Sequence, residues 1–385
     1  MNYCVFAETF SVAFNQKPEH VVLFIIDGLS YKVWDRMDLP VLEAMIDGGV
    51  LVEKNYLPTA AHPTSGAYAE IHSGSIPNPV LMAGTVFITK ETGYLQDSFF
   101  HAKITAFAAN TVSYRTLTNN YHYVFQKDGR DAEAVDMALR FMEEGKPAFL
   151  RLHLQDSGGA GSQSLWADEK DFWRWNIWAE NSPYRKTVAR ADSLLGEFIT
   201  GLEKLGILDK TAFVVMGDHG QNDTGWHPPE YIDSAITSIV LWGAGFKKGV
   251  RIPYSEQIDV APTVCALMEV TPPETCRGRL IAEALETYDG ESLPRKMLIK
   301  ELLDQFIDYR RKMTEAMYAV ERIPAGNQAV LFTRLSRGIR QNFYDIERFS
   351  EWPRFDSLDE LVQHNSKVLK NLDIVLSEAE SILHK

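Results

Sequence analysis

The stretch Ala212 to His227, AFVVMGDHGQNDTGWH, decides how the chain is read. Ala212 to Met216 is a short apolar run closed by Gly217, the pattern of a parallel strand buried on both faces. Asp218 and His219 follow at once, and His227 lies a few residues further on. A carboxylate and an imidazole released at the carboxyl end of a strand face the crevice where open α/β sheets bind ligands. Oxygen and nitrogen donors together suit a divalent transition metal, zinc or manganese before calcium. Taken alone, Asp-His-Gly is better explained as a turn with a solvated histidine, because so short a motif recurs by chance. The flanking strands have to decide.

Two of them repeat the theme. His20 to Ile26, HVVLFII, ends in Asp27-Gly28, and Ala148 to Gln155, AFLRLHLQ, ends in Asp156-Ser157-Gly158-Gly159. Three strand ends that each present an aspartate, with a histidine pair nearby, are hard to attribute to turn chemistry alone. Between them, Leu39 to Gly49 reads as an amphipathic helix stopped by Gly48-Gly49, and Val50 to Tyr56 as a strand. Pro58 to Pro77 starts as a loop and continues after Pro63 as a helix of small residues ending near Gly74. Thr64 and Ser65 then sit at a helix N-terminus, where backbone N–H groups and the helix dipole favour an anion. An ordinary Thr or Ser cap is the commoner use of that position.

Lys103 to Ala109, Tyr121 to Gln126 and Ser238 to Trp242 read as further strands. Asp131 to Glu144, Tyr184 to Leu205 and Ile258 to Met268 read as helices. This alternation predicts an α/β fold: a three-layer α/β/α sandwich with a mainly parallel central sheet. Ser162 to Pro183 carries four of the eight tryptophans and reads either as a lid over a pocket or as a packing segment. After residue 286 strand signals stop, and Arg295 to Val320, Asn327 to Phe349 and Leu358 to Leu383 read as helices. The expected division is a catalytic domain at 1–285 and a helical C-terminal region at 286–385 that covers the core or mediates homo-oligomer formation.

A chain of 385 residues, 45% hydrophobic and 24% charged, is an ordinary globular protein with a large core. Its net charge of -13 argues against a nucleic-acid polymer or an anionic membrane surface as partner. Small phosphorylated substrates remain compatible, since a bound dication inverts the local charge. Cys4, Cys265 and Cys276 form neither a disulfide framework nor a metal-ligand spacing. The start lacks a basic n-region and carries Glu8 in its apolar stretch, and no apolar run spans a bilayer. A cytoplasmic protein without a membrane span is the expectation.

With these residues in view, the chain over roughly 20 to 285 resembles the alkaline phosphatase superfamily of phosphodiesterases, nucleotide pyrophosphatases, metal-dependent mutases and sulfatases. The likeness rests on FIIDG at Asp27, the PTSG loop-helix at Thr64, LHLQDSG at Asp156 and MGDHG at Asp218 and His219. From Asp218 to Ala266 the order DHG, GWH, IVLWGAG, IDVAPTVCAL is most similar to the catalytic domain of GPI ethanolamine-phosphate transferases. The resemblance implies two divalent ions, Zn2+ or Mn2+. One would be held by Asp27, Thr64, Asp218 and His219, and the second by Asp156 and His227. It further implies that Thr64, as an alkoxide, attacks phosphorus and forms a phosphothreonine, with a small phosphorylated or phosphonate substrate as partner. The sequence departs from the family at Ala160, where the second site expects a histidine. His62, His72, His153, Gln155 or Gln163 would have to replace it, or the second ion is weak or lost. The alternatives are a sulfatase-like hydrolase, disfavoured by threonine at 64 and by Ser65-Gly66-Ala67 after it, a phosphosugar mutase, or a degenerate member acting in protein interaction.

Overall fold

The computed structural model describes residues 15, 17–58, 63–76, 93–113, 115–287 and 295–384. The chain divides into two compact units, 1–290 and 291–385.

In the first unit, strands β1 (His20–Ile26), β2 (Val50–Tyr56), β3 (Thr105–Ala109), β4 (Tyr123–Gln126), β5 (Phe149–Leu154), β6 (Thr211–Met216), β7 (Ile236–Gly243), β8 (Val250–Ile252) and β9 (Ser255–Glu256) form one sheet. Its order is β4-β3-β5-β1-β6-β7-β2-β8, with β9 also paired to β2. All pairings are parallel except those of β7, which runs antiparallel to β6 and β2. The sheet is therefore mixed and mainly parallel, as the alternating sequence pattern predicts. Every residue of β1, β5 and β6 is buried, which explains why these strands read as unbroken apolar runs.

Helices cover the sheet: α1 (Pro40–Asp47), α2 (Pro63–Ser73), α3 (Asp131–Glu144), α4 (Asp156–Leu165), α5 (Pro183–Lys204) and α6 (Val260–Leu267). Leu42 and Met45 of α1, Ala138 and Met142 of α3, and Leu195 and Phe198 of α5 share one core with Val22, Phe24 and Ile26 of β1. The intervening β1 residues, Val21, Leu23 and Ile25, are equally buried on the opposite face. α4 has no counterpart in the sequence pattern, in which Asp156-Ser157-Gly158-Gly159 reads as a strand exit. Its three glycines make it a poor helix former, and the reason for two of them appears only in the site below.

One inter-helix contact has a measurable stability consequence. α1 lacks a side-chain cap of its own. Buried Asp192 on α5 supplies one, accepting from the N–H groups of Val41 (3.2 Å) and Leu42 (2.9 Å). Asp192→Ala leaves both donors unpaired and is expected to cost about 1–2 kcal/mol in urea unfolding. Asp192→Asn, which retains an acceptor oxygen, is expected to recover most of it.

The second unit contains α7 (Arg295–Arg322), α8 (Ala325–Thr333) continued by a π-helical stretch over Arg334–Arg340, and α9 (Leu358–Leu383). It has its own apolar core, including Ala316, Val320, Leu335, Leu372 and Val375, and a close stack of Tyr309 on Phe343 at 4.0 Å. Among the described residues no helix is long and apolar enough to cross a membrane.

Candidate metal centre

Parallel pairing of β5, β1 and β6 brings their carboxyl ends together. Asp27 follows β1 directly, while Asp218 and His219 follow β6 after Gly217. All three are buried, and one ligand atom from each lies within 4.8 Å of the others. Asp218 is held rigidly: its Oδ1 accepts from the N–H groups of Gly28 (2.9 Å) and His219 (3.0 Å), and Gln257 donates to its carbonyl. The other carboxylate oxygen, Oδ2, is buried and accepts no hydrogen bond. His219 Nδ1 lies 2.9 Å from the Gly220 carbonyl. A carbonyl only accepts, so Nδ1 carries a proton and Nε2 is the nitrogen that faces the carboxylates. Nε2 lies 3.7 Å from Asp27 Oδ1 and 3.5 Å from Asp218 Oδ2. Thr64, the second residue of α2, places its Oγ1 3.1 Å from the same nitrogen.

These residues fit a divalent cation. Two carboxylates enclosed in protein disfavour each other's charge. Burial first, and the Asp218 charge second, push the Asp27 carboxyl up to about 8, against the pull of His219, Gln155 and Arg151. Burial opposes a charge on His219, but Asp218 and Asp27 outweigh it and raise its pKa. Two carboxylates and an imidazole with room for further ligands match the donor set of catalytic zinc and of manganese. A cation there competes with the proton on Asp27. Titrating weakly buffered protein at pH 6.5 with Mn2+ is therefore expected to release protons, from Asp27 and in part from His219, and fewer after Asp27→Asn.

Two of the glycines of α4 now have a reason. A Cβ on Gly158 would lie 1.7 Å from Asp27 Oδ1, so only glycine lets this turn close over the carboxylate. A Cβ on Gly161 would lie 2.3 Å from Nε2 of Gln221, whose buried amide makes no hydrogen bond. Gln155 donates to Asp27 Oδ2 at 2.9 Å, and His153 Nε2 lies 3.6 Å from that oxygen. Gln155 and His153, two of the residues that could replace the histidine missing at 160, thus contact Asp27 of the first implied site. His72 is buried within α2 and Gln163 is exposed, while His62 lies outside the described residues. Gln221 was not anticipated; its only sequence signal is its place two residues after His219.

His227 is brought to the centre, its ring 4.0 Å from that of His219 and buried. Asp156 has other partners. As the first residue of α4 it accepts from Asn110 Nδ2 (3.0 Å) and from the Asp131 N–H (3.3 Å). Its own N–H donates to Asp131 Oδ1 at 3.1 Å. Burial, with the Asp156 charge added, pushes the Asp131 carboxyl up to about 7. Asp156 and its network thus close the junction of β5, β3 and α3, and Ala160 presents a methyl group where the implied second site needs an imidazole.

The family model named Sulfatase matches residues 83–270, a range that holds Asp156, Asp218, His219 and His227 but begins after Asp27 and Thr64. Human arylsulfatase K is 26% identical over 129 residues, 32% of this chain and 24% of that protein. GPI ethanolamine phosphate transferase 2 of Candida albicans is 32% identical over 137 residues, 32% of this chain and 14% of that protein. The matched stretches thus span a quarter or less of these relatives' length. Among solved structures, a phosphonate monoester hydrolase from Silicibacter pomeroyi superposes with a TM-score of 0.53 at 16% identity, covering 72% of this chain and 78% of that one. Residues 83–270 are thus similar to the Sulfatase family, and the mainly parallel α/β fold is similar to that of alkaline phosphatase superfamily structures.

Proposed function

We propose that the chain is a metal-dependent phosphoester hydrolase or phosphotransferase acting on a small phosphorylated or phosphonate substrate, with Thr64 as nucleophile. The observation that carries this reading is the 3.1 Å approach of Thr64 Oγ1 to His219 Nε2 beside the buried Asp27–Asp218 pair. A divalent cation held by Asp27, Asp218 and His219, when bound, supplies the positive charge that acidifies a hydroxyl and offsets charge growing on phosphoryl oxygens. The chain's own part is positional. α2 presents the Thr64 oxygen at its N-terminal turn, where the helix dipole stabilises negative charge. The Gly220 carbonyl fixes the His219 ring, and the Gly28 and His219 N–H groups fix the Asp218 carboxylate. Attack of Oγ1 on phosphorus would expel the substrate's alkoxide and leave a phosphothreonine, which water or a second alcohol would then release.

The second reading is a sulfate-ester hydrolase, favoured by the family model and by the likeness to arylsulfatase K. One panel separates them: nitrophenyl phosphate, bis(nitrophenyl) phosphate, nitrophenyl phenylphosphonate and nitrophenyl sulfate, each with Zn2+, Mn2+ or Ca2+. Cleavage of phosphorus esters at least tenfold faster than of the sulfate is expected. Preference for the sulfate selects the second reading, and no turnover with any ester and any ion defeats both.

A further inference from the structure

The geometry points to a ring-stacking subsite formed by Trp226, with Trp166 on the neighbouring turn, that takes a flat-faced ring carried by the ligand held at the metal centre; this inference rests on the reading just proposed. The rings of His219, His227 and Trp226 form a column. His219 and His227 lie 4.0 Å apart, and Trp226 stacks on His227 at 4.3 Å with the planes 24° apart. The column begins at a residue of the metal centre and ends at an indole that is 39% exposed. Trp226 thus stands two ring spacings from His219, with the buried His227 ring between them, within reach of a ring carried by a ligand held at the centre.

The indole is held there at a cost. Trp226 has φ +73°, a left-handed backbone that bulky residues seldom adopt. The same is true of Trp175, with φ +59°. Both flank the last turn of α4. Trp175 N–H donates to the Ser164 carbonyl, and Gly225 packs against Ser164 and Leu165. Trp166, which ends that turn, is 79% exposed, and Trp175 54%. The loop carrying Trp226 is anchored through Asp223, which accepts from Trp178 Nε1 (2.8 Å) and Lys32 Nζ (2.9 Å) and whose carbonyl takes the Ile177 N–H. Trp175 carries the Arg174 guanidinium 4.2 Å over its ring, whereas Trp226, in strained backbone on an anchored scaffold, and Trp166 face outward and contribute little to the core. They suit a ligand ring, whose flat apolar face an indole covers with little loss of side-chain freedom.

The test is calorimetric and needs no turnover. Protein loaded with Mn2+ is titrated with methyl-, phenyl- and cyclohexylphosphonate and with the matching sulfonates. The ring acids are expected to bind about tenfold more tightly than the methyl acid, the upper range of a single stacking contact. Phenyl against cyclohexyl shows whether the preferred ring is aromatic or saturated, as in a sugar. Trp226→Ala should reduce the ring-to-methyl ratio to about two or less, while Trp226→Phe keeps most of it. Equal affinity of ring and methyl acids in the wild type, or an unchanged ratio in Trp226→Ala, overturns the subsite and leaves the centre's chemistry standing. Should Trp226→Ala fail to fold, loss of the ratio in Trp226→Phe overturns it as well. Failure of every acid to bind, the methyl acids included, defeats the reading of the centre and the subsite with it.

Discussion

Thr64→Ala is expected to lower turnover of the best phosphorus ester by about 10³-fold or more, because removing an attacking group leaves only binding and electrostatics. Stability should change by no more than about 1 kcal/mol, since Thr64 is inside the first turn of α2 and half-buried. Cation uptake should persist, as Asp27, Asp218 and His219 are untouched. The conservative variant is informative too. Thr64→Ser keeps the hydroxyl and should retain measurable turnover, whereas a merely structural role for Thr64 would make Ala the milder change. Full turnover in Thr64→Ala eliminates the nucleophile and transfers the attack to water.

The second large effect is on stability. Mn2+ at a hundredfold excess over its Kd stabilises a folded protein by about 2.7 kcal/mol, equivalent to a rise in Tm of roughly 4 °C for a unit of this size. In Asp218→Asn that rise is expected to disappear. The variant should fold, because an asparagine oxygen still accepts from the Gly28 and His219 N–H groups that Oδ1 serves now. Without metal it should even exceed the metal-free wild type at alkaline pH. The sign follows from Asp27, whose carboxyl stands at about 8 against an ordinary value near 4. A raised carboxyl binds its proton more tightly folded than unfolded. Its contribution to stability is complete below pH 4 and is lost as pH rises through 8. Removing the Asp218 charge removes part of that loss.

Much of this centre is legible in the sequence because it is built from strand ends. A buried parallel strand declares itself as an unbroken apolar run, and the residue after it is then known to lie at the sheet's carboxyl edge; Asp27, Asp218 and His219 were reached in that way. Thr64 is legible through Pro63 and the small residues of α2. The long helices α3, α5, α7 and α9 were legible from their apolar stripes. What stayed hidden depends on tertiary contact. Two of the three glycines of α4, Gly158 and Gly161, are required because Asp27 and Gln221 occupy the space a Cβ would need, and no local propensity records that. Asp156 ends an apolar run just as Asp27 does, yet the chain turns at once into a helix and gives its oxygens to Asn110 and the Asp131 N–H. β8 and β9 are edge strands of three and two residues, too short for a period to show.

The most direct measurement is anomalous diffraction from crystals grown with Mn2+, recorded with Asp218→Asn crystals as control. A peak is expected between the Asp27 carboxylate, Asp218 Oδ2 and His219 Nε2, next to Thr64 Oγ1, and it should vanish in the variant. Absence of a peak there at millimolar Mn2+, or a peak only at some other group of residues, would contradict a metal centre at these three strand-end side chains.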